Sequence, residues 1–364
     1  MRLTFILVVT LAIGGSSFGQ SDFLRGDIDG DGRVVPLADA YLSVVYLFSS
    51  GAAPPCQDAN DVNDDGSMDI VDFVHLVSFA YIEGSAPIPA PGASICGPDP
   101  TPDSLTCESY SGCAGPPPVV SDPEFVYRLP ITTGEVGATL GVTLELDNVS
   151  SDRELFGWSV GVGHDPSVIE WVDLVLGSDI APRDPDFFQF VVVPDGFVAG
   201  VLMSIFGTAM LEPGVGIELF EVTYELVGVG TSALEFRDEM ATLTLANHVV
   251  AEFSESVVPE RVDGQVSVVP AVPFRRGDAN GDTLFDVADP IFGIMHLFAG
   301  GAPPLCRDAG DSNDDGVLDV GDAIHMLSAL FDFASPLPPP PGPFECGGDP
   351  TPDTLDCDSP PDCS

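Results

Sequence analysis

The stretch from Asp311 to Asp322, DSNDDGVLDVGD, crowds carboxylates that repel one another when close. Their spacing gives the crowding a purpose. Asp311, Asn313 and Asp315 stand at positions 1, 3 and 5. Gly316 stands at position 6, where the chain must turn, and Val317 at 7, where a backbone carbonyl is offered. Asp319 follows at 9 and Asp322 at 12. Alternate positions of a tight loop converge on one point, and oxygen donors there suit a hard cation that takes about six to eight oxygens at ~2.3–2.6 Å. This is the spacing of a Ca²⁺ loop, with Asp in place of Glu at position 12.

Three further copies vary in quality. Asp61, Asn63, Asp65, Gly66, Ser67, Asp69 and Asp72 make a complete second example. Asp278, Asn280, Asp282, Leu284, Asp286 and Asp289 keep every ligand position but put Thr283 at the turn, where a β-branched residue must adopt an awkward backbone conformation. Asp27, Asp29, Asp31, Gly32 and Arg33 begin another loop that then departs. Val35 stands at position 9, and the next acid, Asp39, comes one residue late, so this site is expected to be weak, reshaped or empty. The backbone carbonyls of Arg33, Ser67, Leu284 and Val317 are the expected ligands at position 7.

Such loops need rigid elements behind them. After Asp322, Ala323, Met326, Leu327 and Leu330 recur at helical spacing; after Asp72, so do Phe73, Leu76, Val77 and Ala80. Asp322 near a helix N-terminus is also favoured electrostatically. Pro and Gly precede the loop at Asp311, with no helical pattern, so each unit is expected to be a loop–helix half of an EF-hand. Pro290 after Asp289 suits a first helical position.

NDDGSMDIVD (residues 63–72) matches NDDGVLDVGD (313–322), and CGPDPTPDSLTC (96–107) matches CGGDPTPDTLDC (346–357), both at an offset of 250. The eight cysteines obey the same offset: Cys56, Cys96, Cys107 and Cys113, then Cys306, Cys346, Cys357 and Cys363. An internal duplication follows. An even cysteine count favours disulfides, and the gaps do not suit a zinc knuckle. Four cysteines allow three pairings; Cys56–Cys96 with Cys107–Cys113 is the preferred one, and the sequence leaves the choice open.

The 364 residues suffice for more than one core. A charged start, an apolar run from Leu3 to Ile13 and small residues to Gly19 read as a secretory signal peptide over 1–19, too short to span a bilayer. The expected location is therefore secreted, extracellular or at the cell surface. Acidic residues number 57 against 11 basic ones, all Arg, for a net charge of −46. Nucleic acid would be repelled, as would an anionic membrane. No membrane insertion is expected.

Between the copies the pattern changes. VTLELDN (142–148), FVAGVLMSIF (197–206), IELFEVTYEL (217–226) and QVSVV (265–269) alternate apolar and polar residues, with turn signals between them. Eight to ten short strands and no amphipathic helix predict an all-β sandwich. Proline runs mark the edges at 116–118 and 270–273, and Pro338 to Pro341 is expected to form a stiff extended strap.

The tandem D-x-[DN]-x-D-G-x-x-D-x-x-D loops resemble a dockerin, the calcium-dependent plug of bacterial cellulosomes. The middle resembles a cohesin, the sandwich that receives dockerins, in HDPSVIEWVDLVLGS (164–178), VTLELDNV and DGQVSVV. The resemblance departs at loop positions 10 and 11, where dockerins carry Ser/Thr-type contacts. This chain has Pro36-Leu37, Ile70-Val71, Val287-Ala288 and Val320-Gly321. The resemblance implies a multidomain chain of two small α-helical calcium loop–helix modules, dockerin-like and disulfide-bonded, at 22–114 and 271–364. They flank a cohesin-like sandwich at 122–269, after a Pro-rich linker at 115–121. It implies a non-catalytic assembly or adhesion protein whose partner is a cohesin- or dockerin-type module, a second copy of itself included, in the setting of extracellular polysaccharide binding or degradation.

A second reading makes the sandwich a carbohydrate-binding module between calcium-stabilised anchors, with Trp158, Trp171, Phe187, Phe188 and Tyr224 as the sugar platform. Catalysis finds little support. GWSVG (157–161) fits a nucleophile elbow around Ser159, but no helix can follow it. His75 and His325 are equivalent across the repeat, and Glu235 with Asp238 is a chance pairing in so acidic a chain. No enzyme is expected.

Overall fold

The computed structural model describes residues 21–49, 51–116, 118–206, 208–240, 246–251, 255–332, 334–351, 355 and 357. The signal peptide expected at 1–19 and Cys363 lie outside the described residues. The chain divides into two compact units, Met1–Pro118 and Val119–Ser364.

In the first unit, α1 (Pro36–Phe48) packs on α3 (Ile70–Tyr81), with the single turn α2 (Gln57–Asn60) between them in sequence. Pro36 opens α1 at the position where its missing N–H costs nothing. Asp69 caps α3, and its carboxylate accepts from Val71 N at 2.8 Å while Asp72 reaches back to Asp69 N at 2.8 Å. This reciprocal capping box means that the acids closing the loop also start the helix.

The second unit begins with twelve strands: β1 (Ser121–Arg128), β2 (Ile131–Glu135), β3 (Thr139–Asn148), β4 (Leu155–Gly163), β5 (Ile169–Leu176), β6 (Phe187–Val193), β7 (Gly196–Leu202), β8 (Gly214–Leu226), β9 (Gly230–Phe236), β10 (His248–Ala251), β11 (Glu255–Val262) and β12 (Gly264–Val269). Neighbours run β2-β12-β9-β4-β10-β11-β1-β3-β8-β5, with β7 pairing β4 and β6 pairing β7. Phe125, Leu144, Trp158, Phe197, Val222 and Val266 share one core, so the strand path folds over into two layers. The helices α4 (Ala288–Ala299), α5 (Arg307–Gly310) and α6 (Val320–Phe331) follow, and α4 packs on α6 as α1 does on α3.

Several expectations change. Among the described residues there are twelve strands, not eight to ten, because short segments such as ITTGE in β2 pair through backbone without alternating. β4 and β7 are buried along their whole length, so neither shows the one-sided pattern expected of FVAGVLMSIF. The sandwich starts at Ser121, inside the expected linker. Single helical turns, α2 and α5, precede two of the loops.

The preferred cysteine pairing is wrong. Cys56 pairs with Cys107 and Cys96 with Cys113, and Cys306 repeats the first with Cys357. Cys56 and Cys107 are opposite one another in a short antiparallel bridge, where Gln57 N donates to Thr106 O at 2.8 Å, so their side chains meet. Non-reducing peptide mapping should recover Cys56–Cys107, Cys96–Cys113 and Cys306–Cys357 cross-links; a Cys56–Cys96 peptide would contradict this fold.

Candidate metal centre

All four loops close in the same way. The position-1 carboxylate accepts the N–H groups of positions 5 and 6: Asp61 from Asp65 and Gly66 (3.1 and 2.9 Å), Asp278 from Asp282 and Thr283 (3.0 and 2.9 Å), and Asp311 from Asp315 and Gly316 (3.3 and 2.8 Å). The closing carboxylate accepts from positions 3 and 9: Asp72 from Asn63 and Asp69, Asp289 from Asn280 and Asp286, Asp322 from Asn313 and Asp319. Asn63, Asn280 and Asn313 accept from Asp65, Asp282 and Asp315, which accept in turn from Ser67, Leu284 and Val317. Every side-chain donor brought together is oxygen.

The first loop departs less than its spacing suggests. Asp27 accepts from Asp31 and Gly32 at 3.1 and 2.7 Å, and Asp39 accepts from Asp29 and Val35 at 3.4 and 2.6 Å. Asp39 thus plays the closing role one residue late: α1 begins at loop position 10, as α3 and α6 do, and Asp39 stands one residue further into the first turn than Asp72 or Asp322. Asp29 accepts from Asp31, which accepts from Arg33 N. Asp27, Asp29 and Asp39 offer oxygens within 4.8 Å of one another. Tyr110, which the sequence reading missed, donates its hydroxyl to Asp27. Thr283 adopts φ 73°, matching Gly66 at 80° and Gly316 at 77°, so the awkward conformation is real.

A second missed feature holds each module together. Arg25 is wholly buried. Its Nε donates to Ala90 O (3.1 Å) and its Nη1 to the carbonyls of Asp58 (3.2 Å) and Asp61 (2.6 Å). Its Nη2 meets the carboxylates of Asp99 (2.8 Å) and Asp64 (2.9 Å). Arg276 repeats this with Pro340 O, the carbonyls of Asp308 and Asp311 (2.9 Å), Asp349 (2.6 Å) and Asp314 (2.9 Å). Thr101 and Thr351 add bonds to Asp64 and Asp314, each at 2.8 Å. The signal was present: R-G-D opens both copies, and the repeated DPTPD supplies Asp99, Thr101, Asp349 and Thr351.

Burial, then neighbouring carboxylates, push Asp72 and Asp289 up to about 6 and Asp322 to about 7. Asp61 raises Asp72, Asp278 raises Asp289, and Asp311 raises Asp322, so the first acid of each of these loops opposes ionisation of the last. Burial followed by Asp29 and Asp27 drives Asp39 up as well. Buried carboxylates that oppose one another are a site a hard cation would neutralise, and the donor set fits such an ion.

Other candidates have structural roles. Ser159 lies inside β4, which continues as strand to Gly163, so no nucleophile elbow forms. Asp238 is held by both Nη atoms of Arg261, and Glu235 pairs with Arg237. His325 Nδ1 lies 3.3 Å from Ser312 Oγ, beside the fourth loop. Trp158 and Tyr224 are core residues, and Trp171 and Phe188 pack against that core, which removes most of the expected sugar platform. Ile70, Val71, Val287 and Val320 are exposed, whereas Pro36 and Leu37 are buried.

No family model and no curated protein matches the chain. Among solved structures it is similar to a type I cohesin–dockerin complex from Clostridium thermocellum (16% identity, 40% of this chain, 99% of that one, TM-score 0.32). It is also similar to the seventh ScaB type I cohesin from Pseudobacteroides cellulosolvens (17%, 42%, 96%, 0.34) and to a non-cellulosomal cohesin from Archaeoglobus fulgidus (15%, 40%, 91%, 0.32).

Two outcomes are expected. Arg276→Met leaves Asp314 and Asp349 without their cation and should cost the second module about 3 kcal/mol in denaturant titration, with Arg276→Lys recovering only part. In metal-free buffer, carboxyls raised on folding stabilise the end modules at low pH, and that stability is lost as pH rises from about 4 through 6 to 7. Thermal melts across that range check the sign; stability that increases with pH in chelator would contradict it.

Proposed function

We propose that this is a secreted, non-catalytic assembly protein. Calcium folds its two end modules, and the end modules and the sandwich are docking parts of the dockerin and cohesin kind. The observation that carries the reading is the fourfold recurrence of one loop fold, in which position 1 accepts from positions 5 and 6 and the last acid from positions 3 and 9. Asp27, Asp29, Asp31 and Asp39 would serve the first ion; Asp61, Asn63, Asp65, Asp69 and Asp72 the second. Asp278, Asn280, Asp282, Asp286 and Asp289 would serve the third, and Asp311, Asn313, Asp315, Asp319 and Asp322 the fourth. The position-7 carbonyls complete each set. The disulfides support an oxidising compartment.

The ion supplies neutralisation: it lets carboxylates that would otherwise repel one another hold the loop and begin the helix. Calorimetric titration of the chain lacking residues 1–19 should show one ion bound per loop. Asp61→Ala and Asp311→Ala should expose their modules to protease even in calcium; protection unchanged by either substitution or by chelator would sink the calcium reading. Titration of residues 271–364 into residues 122–269, with calcium and with chelator, tests docking separately. Heat only with calcium supports it, and its absence while the ions still bind removes docking alone.

A further inference from the structure

The sandwich and the second end module belong to one compact unit, Val119–Ser364. Where they meet, a cavity of about 340 Å³ opens between the ends of β2, β3 and β8 and the DPTPD side of the module. Small-ligand sites run from ~300 to 1,000 Å³, and this one has the space of roughly ten waters.

Both walls are held before anything binds. On the sandwich side, Gly137 N donates to Leu226 O (2.7 Å), Leu226 N to Ala138 O (2.9 Å) and Val136 N to Val269 O (3.0 Å). These bonds fix the turn between β2 and β3. On the module side, Arg276 holds Asp349, and Thr351 donates to Asp314. The two sides join where Val272 N donates to Glu135 Oε2 at 3.1 Å. A cavity with fixed walls spares a ligand the cost of ordering its own site.

The lining discriminates by charge. Glu135, Asp308 and Asp349 bring three carboxylates, Thr133 and Thr139 add hydroxyls, and Leu140 and Leu226 add apolar surface. Among the described residues no basic and no aromatic side chain lines the cavity. Arg276 is wholly buried and shared between Asp349 and Asp314, so it neutralises only part of this charge. Anions are therefore repelled and cations attracted. A bare metal ion suits it poorly. The oxygens of Asp27, Asp29 and Asp39 lie within 4.8 Å of one another, whereas among the described residues Glu135, Asp308 and Asp349 form no such group. A sugar would find no aromatic face to stack on. The remaining fit is a cation with its own N–H donors and an apolar stem.

We propose that this cavity binds a small organic amine, its ammonium donating to the carboxylates and its apolar body resting on Leu140 and Leu226. Such a site lies outside the assembly reading. It depends on calcium only in that an ion in the fourth loop would steady Asp314, and with it Thr351.

The test is calorimetric titration of phenethylamine into the chain lacking residues 1–19, in calcium. 2-Phenylethanol and phenylacetate serve as neutral and anionic matches of similar size. Saturable binding of one phenethylamine per chain is expected, about tenfold or more tighter than 2-phenylethanol, with no heat from phenylacetate. Glu135→Gln removes a charge but keeps an acceptor for Val272 N, and should weaken binding about tenfold. Thr139→Phe, at the first residue of β3, fills the space with a good strand former and should abolish binding. Glu170→Gln, an exposed acid on β5, should change nothing. Unchanged circular dichroism and calcium stoichiometry confirm the fold of each variant. Two amines per chain would place the site on the module alone, because Asp58, Asp99 and Thr101 repeat Asp308, Asp349 and Thr351. Diffuse uptake indifferent to Glu135→Gln and Thr139→Phe would be the counter-ions of a chain at −46. Either result, equal binding of 2-phenylethanol, or no binding at all would overturn the proposal. Ion binding in the same samples reports separately on the calcium reading.

Discussion

A buried guanidinium is the interaction on which each end module depends. Arg25 and Arg276 lie between the start of an acidic loop, a Pro-rich segment and the DPTPD stretch between two cysteines, and they donate to all three. A planar fork with five N–H groups can bond carbonyls on one edge and carboxylates on the other, which a single ammonium cannot do. The absence of Lys in a chain with 11 Arg is consistent with that demand. The disulfides then hold the DPTPD stretch where the guanidinium meets it, with Cys56–Cys107 on one side and Cys96–Cys113 on the other. Each module is small, so its order comes from this polar centre as much as from apolar burial.

The same economy governs the acids. Asp72 and Asp322 each close a loop, complete a helix capping box and face another carboxylate. One side chain thereby couples loop shape and helix start. A change in its charge is felt at the helix as directly as in the loop. The first loop uses a different solution. Lacking an acid at position 9, it leaves α1 without a side-chain cap and takes the Tyr110 hydroxyl onto Asp27.

What could be read in advance was whatever repeats at a fixed interval. The ligand spacing at 61–72 and 311–322 and the alternation in β3 and β8 are local patterns imposed by a turn and by a half-buried strand. The contacts of Arg25 could not be read that way, because they reach 33 to 74 residues along the chain. The cysteine pairing was misjudged for the same reason: the closest cysteines in sequence are not those whose backbones lie side by side. β4 and β7 hid because strands covered on both faces lose the alternation that marks one covered face. Asp39 shows that spacing is a proxy for geometry, since an acid out of register by one still accepts from Asp29 and Val35 as the other closing acids accept from their positions 3 and 9.

The division of chemistry along the chain carries a last consequence. The acids are spread over loops, turns and strands, whereas the four long helices hold only those acids that face back into loops. Like charge keeps copies apart at long range, and neutral helix faces are where contact carries least penalty. Each face is oriented by the loop beneath it, so under the calcium reading the ion sets whether a docking face exists, while the apolar residues set what it fits. Affinity and control then reside in different residues.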